Sequence, residues 1–215
     1  MSLVKTIELK ELNHFFKDKS HFSIVKRKKP KKADIFFKEL VTKPLSVKIL
    51  LKKHSTFKDI RDVLNKIISE RLINSSIYSL WIADMANISK IYCDIINTET
   101  ICFYLTTTRT CKRFHIDNVP VRLLITCYGT GTEWVPSNAC DYSAYYDGKN
   151  NNEIIKDASA IKFMNTWDIA IFKGNKFNGR EKGILHRTPY AALNSKSLLM
   201  RLDNSSFLSS KNISK

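Results

Sequence analysis

The stretch RFHIDNVPVRLL, from Arg113 to Leu124, carries the pattern on which the interpretation of this sequence depends. Its first six residues indicate a β-strand that runs into a turn and a second strand. Residues i and i+2 of a strand project to the same face, so His115 and Asp117 are expected to point together. Two interpretations are open here: the side chains form a hydrogen-bonded pair, or they are two ligands of one metal ion.

The sequence after Asn97 is rich in β-branched and aromatic residues separated by turn formers, which predicts several short strands. The predicted strands are ETICFYLTTTRT, RFHIDN, VRLLITCYG, WDIAIFKG, ILHRTPYA and KSLLMRLDN. GTGTEWV is predicted to form a turn that leaves the third strand, and residues 136–158 are predicted to form an irregular insertion between strands. Short strands separated in this way predict a sandwich or a barrel.

Two helices are predicted before these strands. From Ser55 or Thr56 as the N-cap, apolar residues recur at helical spacing as far as Leu72, and a second apolar stripe runs from Ile77 to Ile95. Stripes of this kind face a protein core far more often than a cofactor. We therefore expect both helices to pack on the outside of the strands.

The remaining N-terminal sequence is less regular. A short helix over IFFKEL is predicted with Asp34 as its cap, and KPLSVKILLKKH is ambiguous. We expect one continuous domain in which residues 1–97 are basic and mainly helical, residues 98–208 form the β-rich metal-binding part, and residues 209–215 are a frayed tail.

The charge of the chain is strongly positive. The formal net charge is +16, and residues 1–75 carry 19 Lys and Arg against 8 Asp and Glu. The sharpest run, KRKKPKK from Lys26 to Lys32, fits a nucleic-acid backbone, an acidic partner or a solvated surface. The solvated surface is favoured, because no nucleic-acid-binding motif accompanies the run.

The cysteines and the N-terminus bear on the compartment. Five cysteines lie at positions 93, 102, 111, 127 and 140, and none belongs to a CxxC pair. This pattern favours neither a zinc ribbon nor a disulfide framework and suits a reducing compartment. The sequence has no apolar segment like that of a signal peptide or a membrane span. We therefore expect a cytoplasmic protein without a membrane partner.

His186, in GILHRTPY, is the third residue of the predicted site, and it also lies on a predicted strand. Two neutral imidazoles and one carboxylate can hold a metal from one side and leave its other side open. This arrangement suits Fe(II), with substrate and O₂ at the free positions. The pattern H-x-D…H alone is a weak signal because chance matches are frequent, and its placement on strands strengthens it.

The surrounding sequence resembles the double-stranded β-helix oxygenases. VPVRLLITCYGTGTEW follows H-x-D as a second barrel strand and a small-residue turn do in the prolyl-hydroxylase-like enzymes, and WDIAIFKGNKF resembles the strand before the distal histidine. The resemblance implies an α+β fold with a double-stranded β-helix, or jelly-roll-like, barrel in the C-terminal half and N-terminal helices packed on it. It also implies Fe(II) and 2-oxoglutarate as cofactors.

In 2-oxoglutarate enzymes a basic residue near the final strand pairs with the far carboxylate of the co-substrate. Lys196 falls there, ten residues after His186. Arg201 is the second candidate for this role and Arg122 the third. The alternative for Lys196 is a surface lysine, whereas the apolar neighbours of Arg201 suit a buried charge with a partner.

Four blocks resemble the signature of one bacterial family, a domain of unknown function with the number eighteen twenty-six. The blocks are CKRFHIDNVPVRLL, GTGTEWV, DIAIFKG and GILHRTP, and the resemblance covers about residues 20–203. Lys112 stands where the family usually has proline, Trp167 where it has glycine, and Thr188 where it has serine. The gene context of some family members implies a connection with zinc homeostasis, without naming an activity.

Three further residues are candidates for the surroundings of the site. Cys111 lies four residues before His115, which places it on the same strand face as a metal-site neighbour, although a structural cysteine is the commoner case. Trp134 is a candidate pocket wall. Glu133 is a candidate acceptor for a ligating imidazole, and a structural role is equally compatible with both residues.

Three functional hypotheses follow, in order of preference. The first is a mononuclear Fe(II) oxygenase that uses 2-oxoglutarate, an oxidoreductase with an unknown substrate. The second is a non-catalytic protein that holds zinc or iron for storage, delivery or structure. The third is a module that binds nucleic acid or an acidic partner through Lys26–Lys32.

Overall fold

The computed structural model describes residues 3–16, 20–177 and 183–206. The strands are β1 (Leu3–Ile7), β2 (Ser20–Val25), β3 (Ser46–Lys52), β4 (Thr100–Thr106), β5 (Val121–Tyr128), β6 (Thr132–Val135), β7 (Lys162–Met164), β8 (Ile169–Lys173), β9 (Leu185–Arg187) and β10 (Leu198–Asn204). The α-helices are α1 (Ala33–Leu40), α2 (Thr56–Leu64), α3 (Glu70–Ile73), α4 (Ser76–Ile95), α5 (Tyr142–Tyr146), α6 (Asn151–Ile154) and α7 (Tyr190–Leu193).

The strands form two sheets. The large sheet has seven strands in the order β1-β2-β8-β5-β10-β4-β3, and the small sheet has three in the order β7-β6-β9. Neighbouring strands are antiparallel, except that β1 and β2 run parallel. His115 forms an antiparallel bridge with His186 of β9, so it extends the small sheet by one position.

Residues of the large sheet alternate between two environments, as the two-residue period of a strand requires. On β5, Leu123 packs with the helices in one core, whereas Leu124 packs in a second core between the two sheets. The first core includes Phe103 of β4 and Trp81 of α4, both almost fully buried. The large sheet therefore has helices on one face and the small sheet on the other.

The outer face of the small sheet has a core of its own. Phe114, Val135 and Leu185 pack there with Tyr142 of α5 and Ile154 of α6. The resulting order of layers is long helices, large sheet, small sheet and short helices.

The second predicted helix is present as α4, but the first is present only in part, because α2 ends at Leu64 and Leu72 belongs to the separate short helix α3. All three helices contribute to the core on the helical face of the large sheet. Ser75 caps α4, because its side chain accepts a hydrogen bond from the backbone N–H of Ile77 at 3.2 Å. Tyr92 then anchors the helix by donating to the carbonyl oxygen of Val121 at 2.9 Å. Within the described residues, none of the helices is both long and apolar enough to cross a bilayer.

The expected closed barrel is not formed. The structure has two open sheets with antiparallel pairing, and β1, β2 and β3 from the N-terminal part join the large one. All six residues of β2 are buried, and a strand covered on both faces has no alternating pattern to detect. The division of the chain at residue 97 remains a prediction, and the tail at 209–215 lies outside the described residues.

Three local expectations were also wrong. RFHIDN is not a regular strand, because only His115 pairs, as an isolated bridge. GTGTEWV contains β6 and is not only a turn. Asp34 lies inside α1 and does not cap it; the N-cap position is Lys32, and Asp34 pairs with Lys29 at 2.5 Å.

We expect Phe103→Ala to lower the free energy of unfolding by about 3–5 kcal/mol, because it opens a cavity between the large sheet and the helices. Leu50→Ala is the matched control on the neighbouring strand, since Leu50 is 48% exposed, and it should cost less than about 1 kcal/mol. Urea unfolding followed by circular dichroism measures both. Equal losses in the two variants would contradict this arrangement of the core.

Candidate metal centre

The three predicted ligands come together at one end of the space between the sheets. His115 and His186 are held side by side by two reciprocal backbone hydrogen bonds of 3.0 Å, and their ring centroids are 4.5 Å apart. Asp117 follows two residues after His115 and reaches both rings. Nε2 of His115 lies 3.6 Å from Oδ1 of Asp117, and Nε2 of His186 lies 3.2 Å from Oδ2.

These distances suit a shared metal ion. One ligand atom from each residue lies within 4.8 Å of the other two. Ligands that each lie about 2.0–2.2 Å from an ion are separated by roughly 3–4 Å, so little movement is needed. Asp117 and His186 are buried, and His115 is partly exposed.

The orientation of each imidazole is fixed by the backbone. Nδ1 of His115 lies 2.9 Å from the carbonyl oxygen of Arg113, and Nδ1 of His186 lies 3.2 Å from that of Ile184. Because a carbonyl oxygen only accepts, Nδ1 carries the proton of the neutral ring and Nε2 keeps its lone pair. Both lone pairs therefore point toward the carboxylate, which is an arrangement that a divalent cation satisfies.

Asp117 is positioned by an arginine of the large sheet. Nη1 of Arg122 contacts Oδ1 of Asp117, while its Nε and Nη2 donate to the two oxygens of Asp203 at 2.7 and 2.9 Å. Oδ2 of Asp117 has no hydrogen-bond partner among residues 3–16, 20–177 and 183–206. A buried carboxylate with one oxygen paired and one oxygen facing two imidazoles fits a metal ligand.

The pKa directions of Asp117 and His186 favour the ionised carboxylate and the neutral imidazole of a metal ligand, whereas that of His115 favours a proton that a bound cation would displace. Burial alone would raise the pKa of Asp117, but His186, His115 and Arg122 outweigh it and hold the pKa well below its ordinary value. Burial lowers the pKa of His186 more than Asp117 raises it. For His115, burial also lowers the pKa, but the hydrogen bond and charge of Asp117 outweigh it and the net pKa is raised.

A glycine allows the backbone to close around Asp117. A Cβ atom on Gly174 would lie 2.4 Å from the carbonyl oxygen of Asp117 and 2.3 Å from that of Val119, both closer than atoms can approach. The next residue, Asn175, donates its N–H to the Asp117 carbonyl at 2.8 Å. Glycine at the end of β8 is therefore required for this approach.

The predicted pocket residues have different positions. Trp134 pairs with His186 across β6 and β9 and packs in the core between the sheets, with its ring 4.8 Å from that of Phe22. Glu133 does not accept from an imidazole; it accepts from Arg187 at 2.5 Å, because alternate residues of β6 face opposite ways. Cys111 is exposed, and its carbonyl oxygen accepts from the N–H of Thr188 at 2.8 Å.

The three candidate anchors for a co-substrate are separated. Lys196 is exposed and lines a surface pocket with Tyr128 and Gly129, about 20 Å along β5 from the triad end of the strand. Arg122 is already engaged by two carboxylates. Arg201 lies on β10, with Nε 3.0 Å from Oδ2 of Asp203 and its guanidinium over the ring of Tyr104.

One polar residue of the interior was not found from the sequence. Arg109 is buried and donates to the carbonyl oxygen of Thr130 at 2.5 Å and to Oγ1 of Thr132 at 2.8 Å. A single arginine after a run of threonines follows no known motif, and its burial depends on pairing between distant strands. The sequence therefore contained no signal for it.

The fold and site define a mixed α/β protein with antiparallel sheets and a His/Asp/His group that could hold a metal ion. The chain belongs to the family described as protein of unknown function (DUF1826), which matches residues 7–203. No curated protein matches the sequence.

Several solved structures are distantly similar, including the following two. One is AtDAO1, dioxygenase for auxin oxidation 1 from Arabidopsis thaliana, in a binary complex with 2-oxoglutarate; identity is 11%, the TM-score is 0.44, and 94% of this chain and 92% of that chain are covered. The other is a bsmA homolog from Methylobium petroleophilum PM1, with 9% identity, a TM-score of 0.33, and 64% and 54% coverage. Likenesses this distant carry no argument about the site.

Arg122→Met should destabilise the protein by about 3–5 kcal/mol, because it leaves Asp203 and Asp117 buried without their shared cation. Arg61→Met, on the surface of α2, is the control and should change the free energy of unfolding by less than about 0.5 kcal/mol. Chemical unfolding of metal-free protein measures both values. A cost below about 1 kcal/mol for Arg122→Met would show that this ion network does not support the fold.

Proposed function

We propose that the protein is a mononuclear non-haem Fe(II) oxygenase that uses 2-oxoglutarate. The observation that supports this proposal is the convergence of two Nε2 lone pairs and one unpaired carboxylate oxygen at His115, His186 and Asp117. Three protein ligands on one side of an ion leave positions for a chelating co-substrate and for O₂. Bound Fe(II) would supply the activation of O₂ that oxidises a substrate.

The roles of the surrounding side chains follow from their contacts. Arg122 holds Oδ1 of Asp117, so that Oδ2 is the oxygen available to a metal. Phe172 lies against His186, with ring centroids 4.8 Å apart, and together with Trp134 it keeps water from the buried side of the site. Exclusion of water strengthens the electrostatic interactions of the ligands.

The order of the strands supports a double-stranded β-helix interpretation of the fold. β8, β5, β10 and β4 are adjacent in the large sheet, and β7, β6, β9 and the bridged His115 are adjacent in the small one. The two sheets face each other across the second core. In this interpretation the small sheet supplies both imidazoles, and the space between the sheets receives the co-substrate.

Arg201 is the preferred anchor among the three basic residues predicted from the sequence. It faces the same side of β10 as Asp203, two residues or about 7 Å from the level of Arg122 and Asp117. Its only carboxylate partner in the described part of the chain is Asp203. Lys196 is remote from the triad, and the guanidinium of Arg122 is occupied.

A non-catalytic metal-binding protein is the alternative, because imidazole and carboxylate ligands also accept zinc. The basic run Lys26–Lys32 gives less support for a module that binds nucleic acid or an acidic partner. Arg27, the second residue of Lys26–Lys32, turns inward and pairs with Asp84 at 2.6 Å, which leaves five exposed lysines.

We expect His115→Ala, His186→Ala and Asp117→Ala each to weaken Fe(II) binding by at least about ten-fold, because each removes one of three ligands. His54→Ala is the matched control, since His54 is exposed and lies on another part of the chain. Anaerobic titration followed by metal analysis measures the affinities. Unchanged binding in the three variants would reject the site.

We expect the iron-loaded protein to convert 2-oxoglutarate to succinate, even without its substrate. Arg201→Gln should raise the concentration of 2-oxoglutarate for half-maximal turnover by about ten-fold or more, because a charge-assisted hydrogen bond is lost. Lys196→Gln should leave it unchanged. If wild type neither binds nor turns over 2-oxoglutarate, the metal-binding alternative replaces the oxygenase.

A further inference from the structure

The segment 112–116, which carries His115, is bonded differently along its two edges. On one edge the backbone N–H and carbonyl oxygen of His115 bond to those of His186, each at 3.0 Å. The backbone groups of the even-numbered residues of the segment point to the opposite edge, because neighbouring residues of an extended chain bond to opposite sides. Within the described residues, no strand pairs with that opposite edge.

Two side chains take the place of a neighbouring strand there. Asn151, the first residue of α6, accepts at Oδ1 from the N–H of Phe114 at 2.8 Å, and its Nδ2 donates to the carbonyl oxygen of Lys112 at 3.0 Å. The hydroxyl of Tyr145, in α5, accepts from the N–H of Ile116 at 3.1 Å. The asparagine amide therefore supplies both the donor and the acceptor that a paired strand would offer.

These hydrogen bonds lie directly beside the metal ligands. Ile116 is the residue between His115 and Asp117, so the Tyr145 hydroxyl holds the backbone between the two ligands. Arg113 makes a second connection to the same helix. Its carbonyl oxygen lies 2.9 Å from Nδ1 of His115, while its guanidinium donates to the carbonyl oxygen of Tyr145 at 3.0 Å.

The segment 141–154, which contains α5 and α6, is itself fixed to the small sheet. Asp141 caps α5 by accepting from the N–H of Ala144 at 3.0 Å, and its own N–H donates to the carbonyl oxygen of Ile154 at 2.7 Å. Tyr142 and Ile154 are buried in the core on the outer face of the small sheet. Side chains that project from a packed segment hold their partners more precisely than side chains of a free loop.

We propose that Asn151 and Tyr145 are positioning residues of the metal centre, which hold the backbone on both sides of His115 so that its Nε2 faces Asp117. His186 needs no such support, because it lies within the regular strand β9, whereas His115 has only an isolated bridge. The inference rests on the proposed function for the metal site alone, and it requires neither iron nor 2-oxoglutarate.

A purely structural role for the two side chains leads to a different expectation. Loss of their hydrogen bonds would then lower the stability of the metal-free protein and leave the metal affinity of the folded molecules unchanged. A positioning role alters the arrangement of the ligand atoms, so that metal affinity and the spectrum of the bound metal both change.

The test titrates the metal-free full chain with Co(II), because the visible absorption of bound Co(II) depends on the geometry of its ligands. We expect Tyr145→Phe and Asn151→Ala to weaken Co(II) binding by about three-fold to ten-fold and to change the absorption band. Tyr146→Phe and Asn152→Ala are the matched controls at exposed neighbouring positions, and they should bind Co(II) as wild type does. Urea unfolding measures the stability of each metal-free variant.

The proposal is overturned if folded Tyr145→Phe and Asn151→Ala keep the Co(II) affinity and spectrum of wild type, even when they unfold at lower urea concentrations. Equal weakening in the two control variants would overturn it as well. If Asn151→Ala does not fold, Tyr145→Phe decides, because it removes a single oxygen atom.

His115→Ala separates these outcomes from a failure of the proposed function. If it loses Co(II) binding while Tyr145→Phe and Asn151→Ala keep it, only the positioning role is rejected. If all three bind Co(II) as wild type does, the metal centre is rejected together with the positioning role. If the two positioning variants bind Co(II) weakly but iron-loaded wild type does not turn over 2-oxoglutarate, the positioning role stands and the oxygenase fails.

Discussion

The contact of Arg122 with Asp117 and Asp203 is the interaction on which the rest of the structure depends. It joins β5, β10 and the segment that carries His115, and it lies between the two sheets. Withdrawing three charges from water is costly, and the cost is offset only when their hydrogen-bonding groups are matched. Both oxygens of Asp203 accept hydrogen bonds from Arg122. Oδ2 of Asp117, by contrast, has no hydrogen-bond partner in the described part of the chain.

The two sheets contribute differently to the site. The small sheet supplies the imidazoles, since the backbones of His115 and His186 bond to each other directly. The large sheet supplies Arg122, which orients the carboxylate. Backbone hydrogen bonds fix the distance between the two imidazoles, and a buried ion pair fixes the position of the Asp117 carboxylate. The ligand geometry is therefore largely formed before any ion binds.

Local patterns predicted the parts of this structure that local residues determine. The apolar periods of α2 and α4 and the H-x-D…H spacing each lie in the sequence itself. The placement of β2 and β3 could not be found in the same way, because it depends on pairing with strands about 50 to 150 residues away. Long-range pairing also decides the burial of Arg109.

The prediction that Lys196 begins the last strand failed for a different reason. Counting ten residues from His186 assumes a direct connection to the last strand, but α7 occupies part of that connection and β10 begins only at Leu198. The count therefore falls on an exposed residue before the strand. Arg201 lies three residues into β10, where the alternation of the strand turns it toward the interior.

The order in which the strands are made differs from the order in which they are paired. β10 is synthesised after every other described strand, yet it lies between β5 and β4 in the large sheet. Until residue 204 has emerged from the ribosome, β4 and β3 have no connection through the sheet to β5, and Arg122 lacks Asp203. During this interval the facing edges of β4 and β5 lack their partner strand, and unpaired strand edges are the parts of a nascent chain most prone to aggregate.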